Sequence, residues 1–199
     1  MDWNKPAFGI NWAAFVTPFL LPVSYVWDLV SYWSILITFH RSRGVVSHQE
    51  KVRRVGDQVR RWAREGEGRK MCTARPSWMS ISQQQLGYKD RMFRVRVDFL
   101  QDVVSLDKEK MTVSVEPNIT IGLLNRFLVS QGLTLPVVPE LDNLTIGGLV
   151  AGGGIESTSH KYGLFHHTVT EYEVVVGNGD VVVCNEHQNT EYFHAVPMR

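Results

Sequence analysis

Cysteine is scarce in this sequence: Cys72 and Cys184 are the only two. Two thiols so far apart do not form a disulfide framework, and a reducing compartment is the simpler setting. Net charge is nearly absent as well, at +1, which removes any global electrostatic case for a nucleic-acid partner. No internal repeat and no low-complexity tract occurs. The chain has neither the G-x-G-x-x-G fingerprint nor the lysine-containing phosphate loop. His166 and His167 have no partner at ligand spacing, so no metal is expected.

Charge is also missing locally. No charged residue occurs from Ala7 to Trp27, a stretch rich in Phe, Leu, Val and Trp. That is about the length a helix needs to cross a hydrocarbon core, and Trp12, Tyr25 and Trp27 suit the membrane interface. Residues 1–40 therefore read as an N-terminal membrane anchor, with one tilted span over about 11–32. Pro18 and Pro22 would kink it, and a re-entrant hairpin turning near Pro22 is the alternative. A secretory signal peptide fits less well, because there is no basic leader beyond Lys5 and no clear cleavage site. Arg41, Arg43, Lys51, Arg53, Arg54, Arg60 and Arg61 follow the apolar run. This basic excess predicts a single-pass protein whose main domain faces the cytosol.

Residues 41–68 read as a basic amphipathic juxtamembrane helix. His48, Val52, Val55, Val59 and Trp62 recur on one helical face, with Arg53, Arg54, Arg60 and Arg61 off it. Ser47 with Glu50 fits a capping box, and Gly66 and Gly68 end the helix. The face suits packing on a domain, and its basic side would also be drawn to anionic lipid.

Beyond Gly68 the pattern becomes mixed. Strands are expected at Arg69 to Ala74, around Ile81, at Phe93–Val95–Val97 and at Met111–Val113–Val115, where Thr112, Ser114 and Glu116 alternate outward. Thr120 caps a helix through Leu123, Leu124, Phe127 and Leu128 that ends near Gly132. Two further strands flank Asn178-Gly179, a hairpin turn signal. The order indicates α+β or α/β layering.

The segment LTLPVVPELDNLTIGGLVAGGGIESTSHKYGLF, residues 133–165, carries the chemistry. Thr145 can cap a short helix opening on Gly147 and Gly148, where bare amides would receive a pyrophosphate. Gly152, Gly153 and Gly154 permit a left-handed backbone against a flat ligand. A glycine-rich turn with no ligand is the competing reading.

Together with VEPNIT before it and EYEVVVGNGDVVV after it, this segment resembles the FAD-binding, PCMH-type domain of the vanillyl-alcohol oxidase superfamily. Glu140-Leu141-Asp142, Thr145-Ile146-Gly147-Gly148-Leu149, Gly154-Ile155-Glu156-Ser157 and Ser159 to Phe165 are similar to the delta(24)-sterol reductase family, called Diminuto in plants. So are Cys72 to Trp78. The resemblance covers nearly the whole chain. It implies an α+β protein with an N-terminal transmembrane helix. Residues 69–199 would then form the first α/β subdomain and an incomplete second subdomain of the FAD domain. It also implies non-covalent FAD, NADPH as electron donor, and reduction of the side-chain double bond of a desmosterol-like sterol at the endoplasmic reticulum membrane.

Carried over residue by residue, the cofactor-binding segment is Thr145, Ile146, Gly147, Gly148, Leu149, Val150, Ala151, Gly152, Gly153, Gly154, Ile155, Glu156 and Ser157. Arg75, Ser77 and Ser80 fall at the superfamily's first phosphate loop, although the usual glycine run is missing there. Asn118 stands where relatives often have glycine. His160 and Tyr162, with Lys161, are the polar candidates for supplying a proton, each also readable as a structural residue. No catalytic residue is fixed. The family extends past position 199, so the chain by itself is expected to bind FAD poorly and reduce no sterol. Two other readings stay open: a different flavin oxidase of the superfamily, and a non-catalytic short form that binds a partner.

Overall fold

A computed structural model describes residues 16–27, 29–30, 33, 46–66, 68–75 and 88–197. The chain divides into two compact units, Met1–Val45 and Val46–Arg199.

In the first unit Val16–Leu20 form a π turn, and residues 21–27 continue as an α-helix. Pro18 and Pro22 each remove a backbone donor, and a wider helical turn is a known accommodation of such a loss. The backbone is helical through Pro22, so the hairpin alternative is not found. The span expected over 11–32 lies partly outside the described residues. Among those described, no helix is long and apolar enough to cross a membrane. The expected transmembrane helix is therefore unsupported.

The second unit begins with α1, His48–Glu65. The Ser47 hydroxyl accepts the Glu50 amide at 3.3 Å, and the Gly66 amide closes the helix on the Trp62 carbonyl. Only half of the expected capping box forms. The Glu50 carboxylate turns instead to Arg53 and Arg54, which draw its pKa down to about 2. Val52, Val55 and Val59 are buried as their spacing predicts, and Lys51 is buried with them.

β1 (Met71–Thr73) and β2 (Phe93–Val95) pair in parallel. β3 (Val103–Asp107) and β4 (Thr112–Val115) form an antiparallel hairpin with an irregularity between Val103 and Ser105. Thr112 and Ser114 face outward as expected, but Glu116 does not: it is fully buried. The strand expected around Ile81 lies outside the described residues. α2 (Ile121–Val129) is capped by the Thr120 hydroxyl. α3 (Ile146–Gly152) and the short α4 (Ser159–Tyr162) follow.

β5 (Glu171–Val175) and β6 (Val181–Asn185) make the hairpin signalled by Asn178-Gly179. Gly179 supplies the positive φ of its turn, at 84°. α5 (Thr190–Ala195) ends the described chain. One core cluster gathers Val55 of α1, Val95 of β2 and Leu100, with Phe93, Val97, Phe99 and Val175 against it. Burying those side chains is the main force fixing α1 to the strands.

A buried ionic cluster ties the same elements. Lys51 Nζ bonds Asp102 Oδ2 at 2.7 Å and Glu116 Oε2 at 2.9 Å. His48 joins Glu116 through Nδ1 at 3.0 Å and Glu173 through Nε2 at 3.3 Å. The Asp102 amide gives Glu116 a further donor at 2.8 Å. Burial pushes the Glu116 carboxyl up, but its three donors outweigh burial and hold it below the usual range. Burial likewise pulls the Lys51 ammonium down, and its two carboxylates more than reverse that.

Candidate functional site

The glycine segment is positioned by the chain just before α2. Residues 120 and 145 form an isolated antiparallel bridge. The Ile121 amide bonds the Leu144 carbonyl at 2.8 Å, and the Ile146 amide bonds the Ile119 carbonyl at 3.1 Å. This bridge fixes where α3 starts. The same crossing takes up one of the two donors, at Gly147 and Gly148, that the sequence suggested were bare. The Ile146 amide serves Ile119, and the Gly147 amide bonds the Pro117 carbonyl at 2.8 Å. A bare amide at Gly147 is therefore not found, because the VEPNIT strand-to-helix turn crosses the start of α3. Gly147 earns its place sterically: a Cβ there would meet the Pro117 side chain at 2.9 Å. Thr145 has cap-like extended backbone, but its side chain makes no cap hydrogen bond.

The Thr145 hydroxyl instead receives Arg75. The guanidinium Nη1 lies 3.4 Å from Thr145 Oγ1 across 70 residues of sequence. The structure thus joins the Cys72-Thr73-Ala74-Arg75 motif to the glycine segment. Ser77 and Ser80 lie outside the described residues.

At the other end of α3 the chain turns through Gly153 and Gly154, with φ of 90° and 54°. Both values are costly for any residue with a Cβ. The Phe165 amide bonds the carbonyls of both glycines, and a Cβ on Gly154 would meet Phe165 at 2.7 Å. Gly152 is different: apart from its chain neighbours and its own helix backbone, no atom of the described residues lies within 4 Å of the position its Cβ would take. Ile155, next to this turn, is 75% exposed. Leu149 and Val150 are buried, while Ala151 is exposed.

The remaining predicted residues serve mainly local structure. The Glu156 amide is held by the Ser159 hydroxyl at 2.9 Å, and the Ser157 carbonyl contacts His160 Nδ1 at 2.7 Å. Tyr162 is exposed, with the Lys161 ammonium 4.9 Å from its ring centre. Among the described residues, no bond joins His160 or Tyr162 to Arg75. His167 Nδ1 accepts the Leu164 amide at 2.9 Å. Burial, then the neighbouring His167, lowers the pKa of His166. Among the described residues no group of His, Cys, Asp or Glu could hold a metal. Asn118 keeps a negative φ. It donates its side-chain amide to the Val97 carbonyl, so it does not stand in for a glycine.

Residues 57–185 match the FAD binding domain family. The chain belongs to that family. It is 43% identical over 183 residues to the human delta(24)-sterol reductase, covering 92% of this chain and 35% of that protein. It is 42% identical over 174 residues to the Caenorhabditis elegans delta(24)-sterol reductase homolog, covering 87% of this chain and 33% of that one. The chain thus spans about a third of the length of these curated relatives. Among solved structures, a chitooligosaccharide oxidase superposes with a TM-score of 0.62 at 23% identity, over 73% of this chain and 30% of that one. The fold is accordingly the PCMH-type FAD-binding fold seen in flavin oxidases.

Sequence reasoning picked out the glycine turn and Arg75. It missed Lys89, which is 8% exposed and braces the end of β1. An isolated lysine between polar residues carries no signal of burial.

Proposed function

We propose that this chain holds FAD, through Arg75, Thr145 and the turn over Gly152–Gly154, for an oxidoreductase that reduces a sterol side-chain double bond. The carrying observation is the 3.4 Å contact between the Arg75 guanidinium and Thr145. It sets a planar, permanently charged fork at the start of the glycine segment, suited to a pyrophosphate. The open space at Gly152 and the exposed Ile155 fit a flat, largely apolar group lying over the turn. When bound, FAD would supply the hydride chemistry, while the chain binds and orients it. The sterol class rests on the likeness to proteins named delta(24)-sterol reductases, and NADPH as donor with a desmosterol-like acceptor on the family resemblance of the sequence. A flavin oxidase acting on small alcohols is the reading this displaces.

Membrane attachment belongs to the same proposal. Leu21, Val23, Val26, Trp27 and Val30 of the first unit are all exposed, and water is a poor solvent for such a surface. A sterol partitions into bilayers, so an enzyme held at the endoplasmic reticulum surface, with its larger unit in the cytosol, meets substrate without carrying it through water.

The test is flavin retention and turnover. A protein carrying this segment within the full relative-length chain should be yellow and reduce desmosterol with NADPH, leaving small alcohols untouched. Turnover of small alcohols and not of desmosterol would overturn the sterol reading.

A further inference from the structure

We propose that Lys89 is a positioning residue for Arg75, and through it for the phosphates of the bound dinucleotide. The proposal rests on the reading of Arg75 and Thr145 given above. Lys89 sits in the 3-10 turn Tyr88–Arg91, just ahead of β2. Its ammonium bonds the Arg75 carbonyl at 2.7 Å, the Thr73 carbonyl at 3.1 Å and the Thr73 hydroxyl at 3.4 Å. All three oxygens lie at or just past the end of β1, where the chain leaves its pairing with β2.

A backbone that leaves a strand loses its ladder bonds and with them its fixed direction. Here the Ala74 amide still reaches the Val95 carbonyl at 2.7 Å. At Arg75 the described bond to the carbonyl comes from Lys89. The ammonium therefore spans the two ends of the crossover joining β1 to β2 and sets the backbone from which the Arg75 guanidinium reaches Thr145. Bonds from an ammonium to neutral oxygens are charge-assisted and stronger than neutral ones. Burying a lysine is costly unless its ammonium is hydrogen-bonded, as it is here.

The test compares Lys89→Met, Lys89→Arg and Arg75→Met in a protein carrying this segment within the full relative-length chain, titrated with FAD, ADP and riboflavin by NMR and flavin fluorescence. Lys89→Met should weaken FAD and ADP about tenfold, as expected for losing a charge-assisted contact, and leave riboflavin, which has no phosphate, unchanged. Lys89→Arg should recover most of the loss. Adding Lys89→Met to Arg75→Met should cost nothing further. ADP affinity unchanged in Lys89→Met but weakened in Arg75→Met would overturn the role of Lys89 and leave the site standing. No ADP binding to the unaltered relative-length protein, or none lost in Arg75→Met, would sink the phosphate reading and this proposal with it. Should Lys89→Met not fold, the Arg75 side-chain N–H resonance in Lys89→Gln decides: a shifted, broadened signal supports positioning, and an unmoved one refutes it.

Discussion

The ammonium of Lys51 lies 2.9 Å from Glu116 Oε2, joining two buried charges from positions 65 residues apart. One belongs to the first turns of α1 and the other to the residue that follows β4. Asp102 completes the arrangement on Lys51. The helix is thus fastened to the β3–β4 hairpin by ions as well as by its apolar face.

Removing the cation should be far worse than removing the pair. Lys51→Met leaves two buried carboxylates without their counter-charge, and we expect a loss of about 3–5 kcal/mol in urea unfolding. Adding Glu116→Gln should recover part of it, because the stranded charge goes while an amide oxygen still accepts the Asp102 N–H. A loss below ~1 kcal/mol for Lys51→Met would mean that the cluster behaves as a solvated surface pair.

The same cluster sets a pH window. Glu116 is held below its ordinary value, so its contribution is complete above that ordinary value and is lost as pH falls through the lower, folded one. Lys51 is held above its ordinary value, so its contribution is complete below that and is lost as pH rises through the higher, folded one. Stability measured by urea midpoint should be flat across neutral pH and fall at both extremes. In Lys51→Met the fall at the alkaline extreme should shrink.

Gly56 offers a test against helix propensity. In an exposed helix, Gly→Ala gains about 1 kcal/mol. Here a Cβ at position 56 would stand 2.7 Å from the Gly179 carbonyl oxygen, in the turn of the β5–β6 hairpin. Arg60 Nη1 also bonds that carbonyl at 2.7 Å. Gly56→Ala should therefore destabilise by about 1–3 kcal/mol, as overpacking does. A raised melting temperature would show that the hairpin turn yields freely.

How much of this was legible in the sequence differs from place to place. The apolar face of α1 and its Ser47 cap follow from spacing and residue type, because both are local. Lys51 and Glu116 were not legible. Lysine beside a basic run reads as solvated, and Glu116 continues an outward alternation that breaks only when α1 arrives. β3 escaped for a local reason: the irregularity between Val103 and Ser105 spoils the period of two. At the site, the glycines and Thr145 announced themselves. The fate of the Ile146 and Gly147 amides did not, because carbonyls from residues 117 and 119 consume them. The meeting of Arg75 with Thr145 is likewise a product of topology.

Gly152 separates a ligand role from a folding role. Beyond its own helix, a Cβ there would meet none of the described residues within 4 Å, whereas one at Gly154 would meet Phe165 at 2.7 Å. Gly152→Ala should leave the melting temperature unchanged or slightly raised, since it sits at the end of α3. Gly152→Phe should likewise fold, but its ring would fill the space over the turn. If a flavin or its diphosphate lies there, FAD affinity by fluorescence titration should fall about tenfold or more with the larger side chain. Gly154→Ala should lower stability first, through its positive φ and the Phe165 contact. Equal FAD affinity in Gly152→Phe and the unaltered chain would mean that the open space at Gly152 faces solvent and that the cofactor lies elsewhere.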